Sequence, residues 1–192
     1  MPLYYYLILG AVLLIALGLF VLYGVQTRKL AKKFPVTAKH PQMSKKEVWQ
    51  LNERLQLTLN KFDEHIYKDM MQFGLAALLF VASAGALIGN VPALTSYNEL
   101  VVLIWPILAA ISAIYFVIAY RRRQKNIYFA TKKLSDEHPD QAKEIGIDPE
   151  QVGNLWKRLE KQLSLINVWL LAYCLIIAVL IFSAIINNYM GY

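Results

Sequence analysis

A single cysteine, Cys174, occurs in the 192 residues, inside an apolar block. It can supply neither a disulfide framework, nor a Cys-x-x-Cys redox pair, nor a thiolate metal cluster, and is left as small core filler. Histidine is almost as scarce, at three residues, and no His-Glu-x-x-His or Glu-x-x-His pattern occurs. Asp-Glu-His appears twice, at 63–65 and 136–138. Consecutive residues of a helix point in different directions, so neither triplet can close around one ion. His65 and Asp69, one helical turn apart, could share a cation, but nothing else joins them, and no metal is expected. A phosphate-binding glycine loop and a Gly-x-Ser-x-Gly elbow are both missing. Ser83, Ser112 and Ser183 have no base near them in sequence, which leaves helix–helix hydrogen bonding as their role. The expectation is a chain without catalytic residues or cofactor and, on balance, not an enzyme.

Asp, Glu, Lys, Arg and His are also missing from four stretches, 3–25, 70–90, 100–120 and 166–186. A run of about 20 apolar residues crosses a hydrocarbon core of roughly 30 Å as a helix, and each stretch is long enough. With 57% hydrophobic residues and a mean hydropathy of +0.39, the composition is too apolar for an ordinary soluble domain. The lack of intramembrane ionisable groups takes weight from ion-coupled transport, which needs them to handle charge. No positive charge precedes the first run, whereas Arg28, Lys29, Lys32 and Lys33 follow it. That order is the reverse of a cleavable signal peptide and predicts a retained span with its N-terminus outside. Tyr4, Tyr5 and Tyr6 suit an outer aromatic belt, and Tyr189 and Tyr192 suit interfacial anchors at the other terminus.

Lys and Arg are absent outside two segments. Ten lie in residues 27–69 and ten in 121–165, which accounts for all twenty. Under the positive-inside rule this places both segments in the cytosol and both termini outside, in a membrane read as a bacterial plasma membrane. The net charge of +7 is thereby explained by topology. The same segments hold five and seven acidic residues, too dilute a basic surface for nucleic acid, and none is expected as a partner. Anionic lipid headgroups opposite Arg28, Lys29, Arg121, Arg122 and Arg123 are the nearer match.

What the chain does have is a repeated helix start. Ser44–Leu59 returns 104 residues later as Asp148–Leu163, with Val48/Val152, Leu51/Leu155, Arg54/Arg158, Leu55/Leu159 and Leu59/Leu163 identical. Both copies carry a capping box, Ser44 with Glu47 and Asp148 with Gln151, and a hydrophobic staple, Met43 with Val48 and Ile147 with Val152. Pro149 adds a first-position proline. Apolar residues then recur at 48, 51, 55, 59, 62 and 66, and at 152, 155, 159, 163, 166 and 170, marking one helical face each. Cap, staple and stripe agree in register, which favours a duplication over chance similarity.

Phe34-Pro35 and His40-Pro41 predict a short linker before Ser44. No breaker is evident from there to the second apolar block, so a continuous helix is expected, and Asn90–Glu99 then forms a turn. Gly74, Gly85 and Gly89 are candidate helix-packing positions, the last two as Gly-x-x-x-Gly. Arg121–Arg123 stop the third span, and Ile127, Tyr128, Thr131 and Leu134 carry a helical stripe beyond it.

The expected fold is all-α: a polytopic membrane protein of 1–192 as one domain. Its four transmembrane helices form two parallel helix-pair repeats, 3–90 and 100–187, with cytosolic helical extensions 27–69 and 121–165 packed as a coiled-coil-like stem. The expected function is a non-enzymatic membrane subunit or scaffold whose basic stem binds a protein partner or anionic lipid, with Arg54 and Arg158 among the contact residues. The alternative is an oligomeric channel or small-solute transporter framed by Ser83, Asn90, Ser112 or Tyr115.

Overall fold

The structure is a computed structural model that describes residues 3–33, 44–89, 104–145, 147 and 149–190. The expected linker at 34–43, the turn at 90–99, the second cap residue Asp148 and Tyr192 lie outside the described residues, as do the side chains of Tyr4–Tyr6, Val48, Gln151 and Tyr189. The described residues form six helices and no strand: α1 Leu3–Lys33, α2 Lys45–Phe62, α3 Glu64–Gly89, α4 Ile104–Glu137, α5 Pro139–Glu144 and α6 Pro149–Met190. Four of them, α1, α3, α4 and α6, are long and apolar enough to cross a membrane.

The start of α2 is capped as its sequence dictates. Glu47 N–H donates to Ser44 Oγ at 3.3 Å and Ser44 N–H donates to Glu47 Oε2 at 2.7 Å, so two orphan donors are satisfied reciprocally. The Ser44 N–H bond to the carboxylate, and then the Ser44 hydroxyl, hold the Glu47 pKa below its usual value of 4.5, because donors to the carboxylate favour its charged form.

The continuous helix expected through Ser44 and the second apolar block is not formed. Asp63 leaves helical geometry at φ −142° and ψ 110°, and its Oδ1 accepts from His65 N–H at 2.9 Å. A short carboxylate that bonds the backbone two residues on competes with the helix ladder and caps the next helix instead. The equivalent residue of the second copy is Asn167, which sits inside an unbroken α6. The two copies therefore differ at this point.

Contacts divide the chain into two compact units. The first comprises residues 1–25, 74–118 and 165–192. Alanines make up much of its interior, with Ala16, Ala76, Ala109, Ala113 and Ala172 fully buried beside Leu87, Val117 and Ile177, while Leu14, Val21, Leu78, Val81, Ile88 and Ile118 face outward. Small residues inside and large aliphatic ones outside invert the soluble pattern, and they let helix backbones approach closely in lipid. Aromatic rings fill the remaining space: Phe80 stacks on Phe116 at 5.4 Å and meets Trp169 and Tyr173 edge-on at 5.2 Å each, while Trp169 stacks on Tyr173 at 5.6 Å. Phe20 of α1 packs on the edge of Trp169 at 6.4 Å. Ser83 and Ser112 approach each other across α3 and α4 at 2.5 Å, and each also lies within reach of a carbonyl of its own helix, Phe80 O and Ala109 O, so one hydroxyl donates to the other while that one donates to its own helix.

The second unit comprises residues 26–73 and 119–164. Its core joins Leu55, Leu59 and Ile66 to Ala130 and Leu134 of α4, to Ala142, Ile145 and Ile147 at and after α5, and to Val152 of α6. Leu55, Leu59 and Ile66 belong to the first apolar stripe, and Val152 to the second. Each buried leucine or isoleucine contributes about 1.5–3 kcal/mol. Helix α5 falls within a stretch that reads from sequence as turn and acid. Pro139 opens it, where a missing N–H costs nothing, and Ile145 and Ile147 after it tie the connection into the core.

Candidate binding groove and basic cluster

The helix break at Asp63 separates α2 from α3 and leaves a half-open groove of about 590 Å³ in the second unit. Its floor is Leu55, Leu59, Ile66, Met70 and Ile127. Its polar groups are Glu53, Gln56 and Asn60 on α2 and Arg123 and Gln124 on α4. Residues 53, 56 and 60 recur at steps of three and four, so they share one face of α2. At a rise of about 1.5 Å per residue, Glu53 lies about 10 Å along the axis from Asn60. The Asn60 Oδ1 atom is buried and has no hydrogen-bond partner.

Arg123 is half-buried, with its guanidinium carbon 4.8 Å from the centre of the Phe73 ring. That is cation–π distance, and the aromatic face holds the cation beside the groove. Tyr120 packs on the same ring at 6.1 Å. Arg122, by contrast, is committed to Asp69. Its Nε lies 2.9 Å from Asp69 Oδ1 as an ion pair, and Asn126 Nδ2 donates to Asp69 Oδ2. The Asp69 side chain is 2% exposed and that of Arg122 is 58% exposed, so the carboxylate is the buried member. The pairing also separates Asp69 from the metal reading, since His65 is exposed. Among the described residues, no three His, Cys, Asp or Glu side chains converge.

The other basic residues singled out from sequence are dispersed. Arg28, Lys29, Arg54 and Arg121 are exposed, while Arg158 is half-buried and lines a separate cavity of about 140 Å³. Arg54 and Arg158, equivalent in the repeat, thus have different surroundings. Of the sequence candidates, Arg122 pairs with the buried Asp69 and Arg123 lines the groove with Asn60, while Arg158 shares its cavity with the buried Thr131. Asp69, Asn126 and Asn60 were not legible as members of the cluster. The signal that could have found them is the match of an acid just before one apolar run with an Arg–Asn pair at i,i+4 just after the next.

An exposed aromatic patch lies elsewhere on the second unit. Tyr128 meets Phe129 at 5.4 Å and Trp156 at 5.1 Å, and Phe129 meets Trp156 at 6.5 Å. Phe129 is 55% exposed and Trp156 39%. Lys125 and Lys132, one turn before and after Phe129, are exposed as well.

In the first unit, Gly74, Gly85 and Gly89 are exposed, and a Cβ at any of them would meet nothing within 4 Å. Among the described residues no atom of another helix comes within 4 Å of those positions, whereas Ala76, Ala109, Ala113 and Ala172 are fully buried. Ala109 and Ala113 form the small-x-x-x-small pair that faces inward. Ser83, Ser112 and Tyr115 line an apolar cavity of about 510 Å³ between α3 and α4. No protein family, curated protein or solved structure matches this chain.

Proposed function

We propose that the chain is a non-enzymatic integral membrane subunit or scaffold, with residues 27–69 and 121–165 in the cytosol as a helical stem that docks a protein partner. The observation that carries this reading is the Tyr128–Phe129–Trp156 patch. Large aromatics exposed together, with lysines beside them, have the composition of interface anchors rather than of a solvated surface. At about 1.5 Å per residue, Phe129 lies about 13 Å along α4 beyond Tyr120, past the apolar run and its interfacial turn, which favours protein over lipid as its contact. Lys125 and Lys132 suit a partner segment that carries acidic residues beside an apolar one. The confinement of all twenty Lys and Arg to the two segments supports the cytosolic orientation. The shared cap, staple and stripe support two parallel repeats related by an axis along the membrane normal.

The channel reading gains no comparable support. The two hydroxyl hydrogens of Ser83 and Ser112 have three acceptors within reach, the other hydroxyl and the carbonyls of Phe80 and Ala109, so both donors are used inside the helix pair and the rest of the lining is apolar. The docking reading is tested by a photo-crosslinking residue at Phe129 in the native host, with mass spectrometry of the adduct. A defined protein adduct, lost when Trp156→Ala is added, is expected. Adducts with lipid or bulk protein alone, unchanged by Trp156→Ala, would sink the proposal.

A further inference from the structure

The cavity between α3 and α4 lies along two of the charge-free runs, 70–90 and 100–120. Its α4 wall extends from Trp105 to Tyr115, ten residues or about 15 Å of helix. That is the depth of one leaflet of a hydrocarbon core of roughly 30 Å. The walls are carbon almost throughout, since the hydroxyl hydrogens of Ser83 and Ser112 are used between the two helices. A polar ligand group placed there would meet almost no polar surface, and burying it unpaired costs free energy. The cavity is continuous with the lipid-facing surface, because Leu79, Leu108 and Ile111 line it and are exposed, next to the outward-facing Leu78.

Its dimensions decide between apolar occupants. About 510 Å³ over about 15 Å gives a mean cross-section of about 34 Å². A helix about 10 Å across covers about 80 Å², so a span of a partner or of a second copy is too wide. A dry apolar cavity does not take up water, and an empty one forfeits the dispersion contacts of its walls. We propose that the cavity holds one acyl chain of a membrane lipid, selected by its tail and not by its headgroup. The proposal rests on α3 and α4 lying in the bilayer and is independent of the protein partner. Unlike a headgroup contact on the cytosolic arginines, it calls for no charge on the lipid.

The test is native mass spectrometry of the full chain in mild detergent, supplied with one lipid at a time. The wild type is expected to retain one lipid per chain, with phosphatidylcholine and phosphatidylglycerol of the same long chains retained equally. Dihexanoyl phosphatidylcholine, whose chains are too short to fill the cavity, should be lost. Ala82→Trp fills the cavity from an exposed position and should abolish retention. Leu78→Trp, on the same helix but outside the cavity, and Arg123→Gln should leave it unchanged. A lipid with a diazirine in its acyl chain probes the unaltered protein, with adducts expected on residues 79–86 and 105–115. No retained lipid, retention insensitive to Ala82→Trp, a preference for phosphatidylglycerol that Arg123→Gln removes, or adducts spread evenly over the four spans would overturn the proposal. A lipid-free dimer that Ala82→Trp dissociates would put a second copy in the cavity and overturn it as well. Release of the chain from native membranes by alkaline carbonate would overturn the placement on which the proposal rests. Loss of the Phe129 crosslink with lipid retention intact would instead count against the docking partner alone.

Discussion

The Asp69–Arg122 pair is asymmetric in burial, and its two neutralising substitutions should differ accordingly. Asp69 is 2% exposed and Arg122 58% exposed. Replacing the carboxylate, as in Asp69→Asn, returns a mostly solvated guanidinium to water. The loss is the ion-pair attraction of Arg122, screened on the arginine side, and the charge on the bond from Asn126, about 1–2 kcal/mol. Replacing the guanidinium, as in Arg122→Gln, strands a buried carboxylate with Asn126 as its remaining strong partner, which costs about 3–5 kcal/mol. The double variant should lie close to Asp69→Asn, because the stranded charge is gone. Thermal unfolding of the four proteins in one mild detergent, followed by circular dichroism, reads the order directly. If Arg122→Gln proved no more damaging than Asp69→Asn, or the double variant showed the sum of the two losses, the burial argument would be wrong.

Leu59→Ala and Leu134→Ala should each cost about 2–5 kcal/mol, since both side chains are fully buried in the second unit; melting temperatures check this. Gly85→Ala should leave the isolated chain as stable or raise it by up to about 1 kcal/mol, because its Cβ enters open space. A drop in melting temperature without a change in mass by light scattering would show an unseen internal contact. The Ser83–Ser112 bond should yield a coupling of about 0.6 kcal/mol in a double-mutant cycle with alanine, the usual scale inside a membrane. Glu47 has a lowered folded pKa, so its contribution to the start of α2 is present above the unfolded pKa and is lost as pH falls through the folded one. Protection of the first-turn amides of α2, measured as exchange relative to the unstructured rate at each pH, should fall on acidification through that range in the wild type, and Glu47→Gln should abolish that carboxylate-dependent step.

The elements legible in the sequence were those set by long-range composition or by local chemistry with one solution. Four charge-free runs translated into four helices, and Ser44 with Glu47 into the cap that forms. The apolar stripe translated into burial at Leu55, Leu59, Ile66 and Val152. The break at Asp63 escaped because a stripe of constant period runs straight through it; the deciding fact is a local bond from a short carboxylate, which periodicity does not register. Gly74, Gly85 and Gly89 share the smallness of Ala109 and Ala113, but the alanines are the ones that are buried, because which small face turns inward is decided by packing between helices distant in sequence. Asp69 stands out in the sequence only as a neighbour of His65, since its partners Arg122 and Asn126 stand 53 and 57 residues away on another helix. The groove depends on the break and could not be drawn before it.

Sidedness underlies the docking proposal, and it can be measured in intact cells of the native host. Cys174 is half-buried in the fourth span, so a Cys174→Ala background with single cysteines at Asn98 or Lys132 can be labelled with a membrane-impermeant maleimide. The account predicts that Asn98→Cys reacts from outside and that Lys132→Cys reacts only after permeabilisation. Labelling of Lys132→Cys in intact cells, with Asn98→Cys protected, would contradict it.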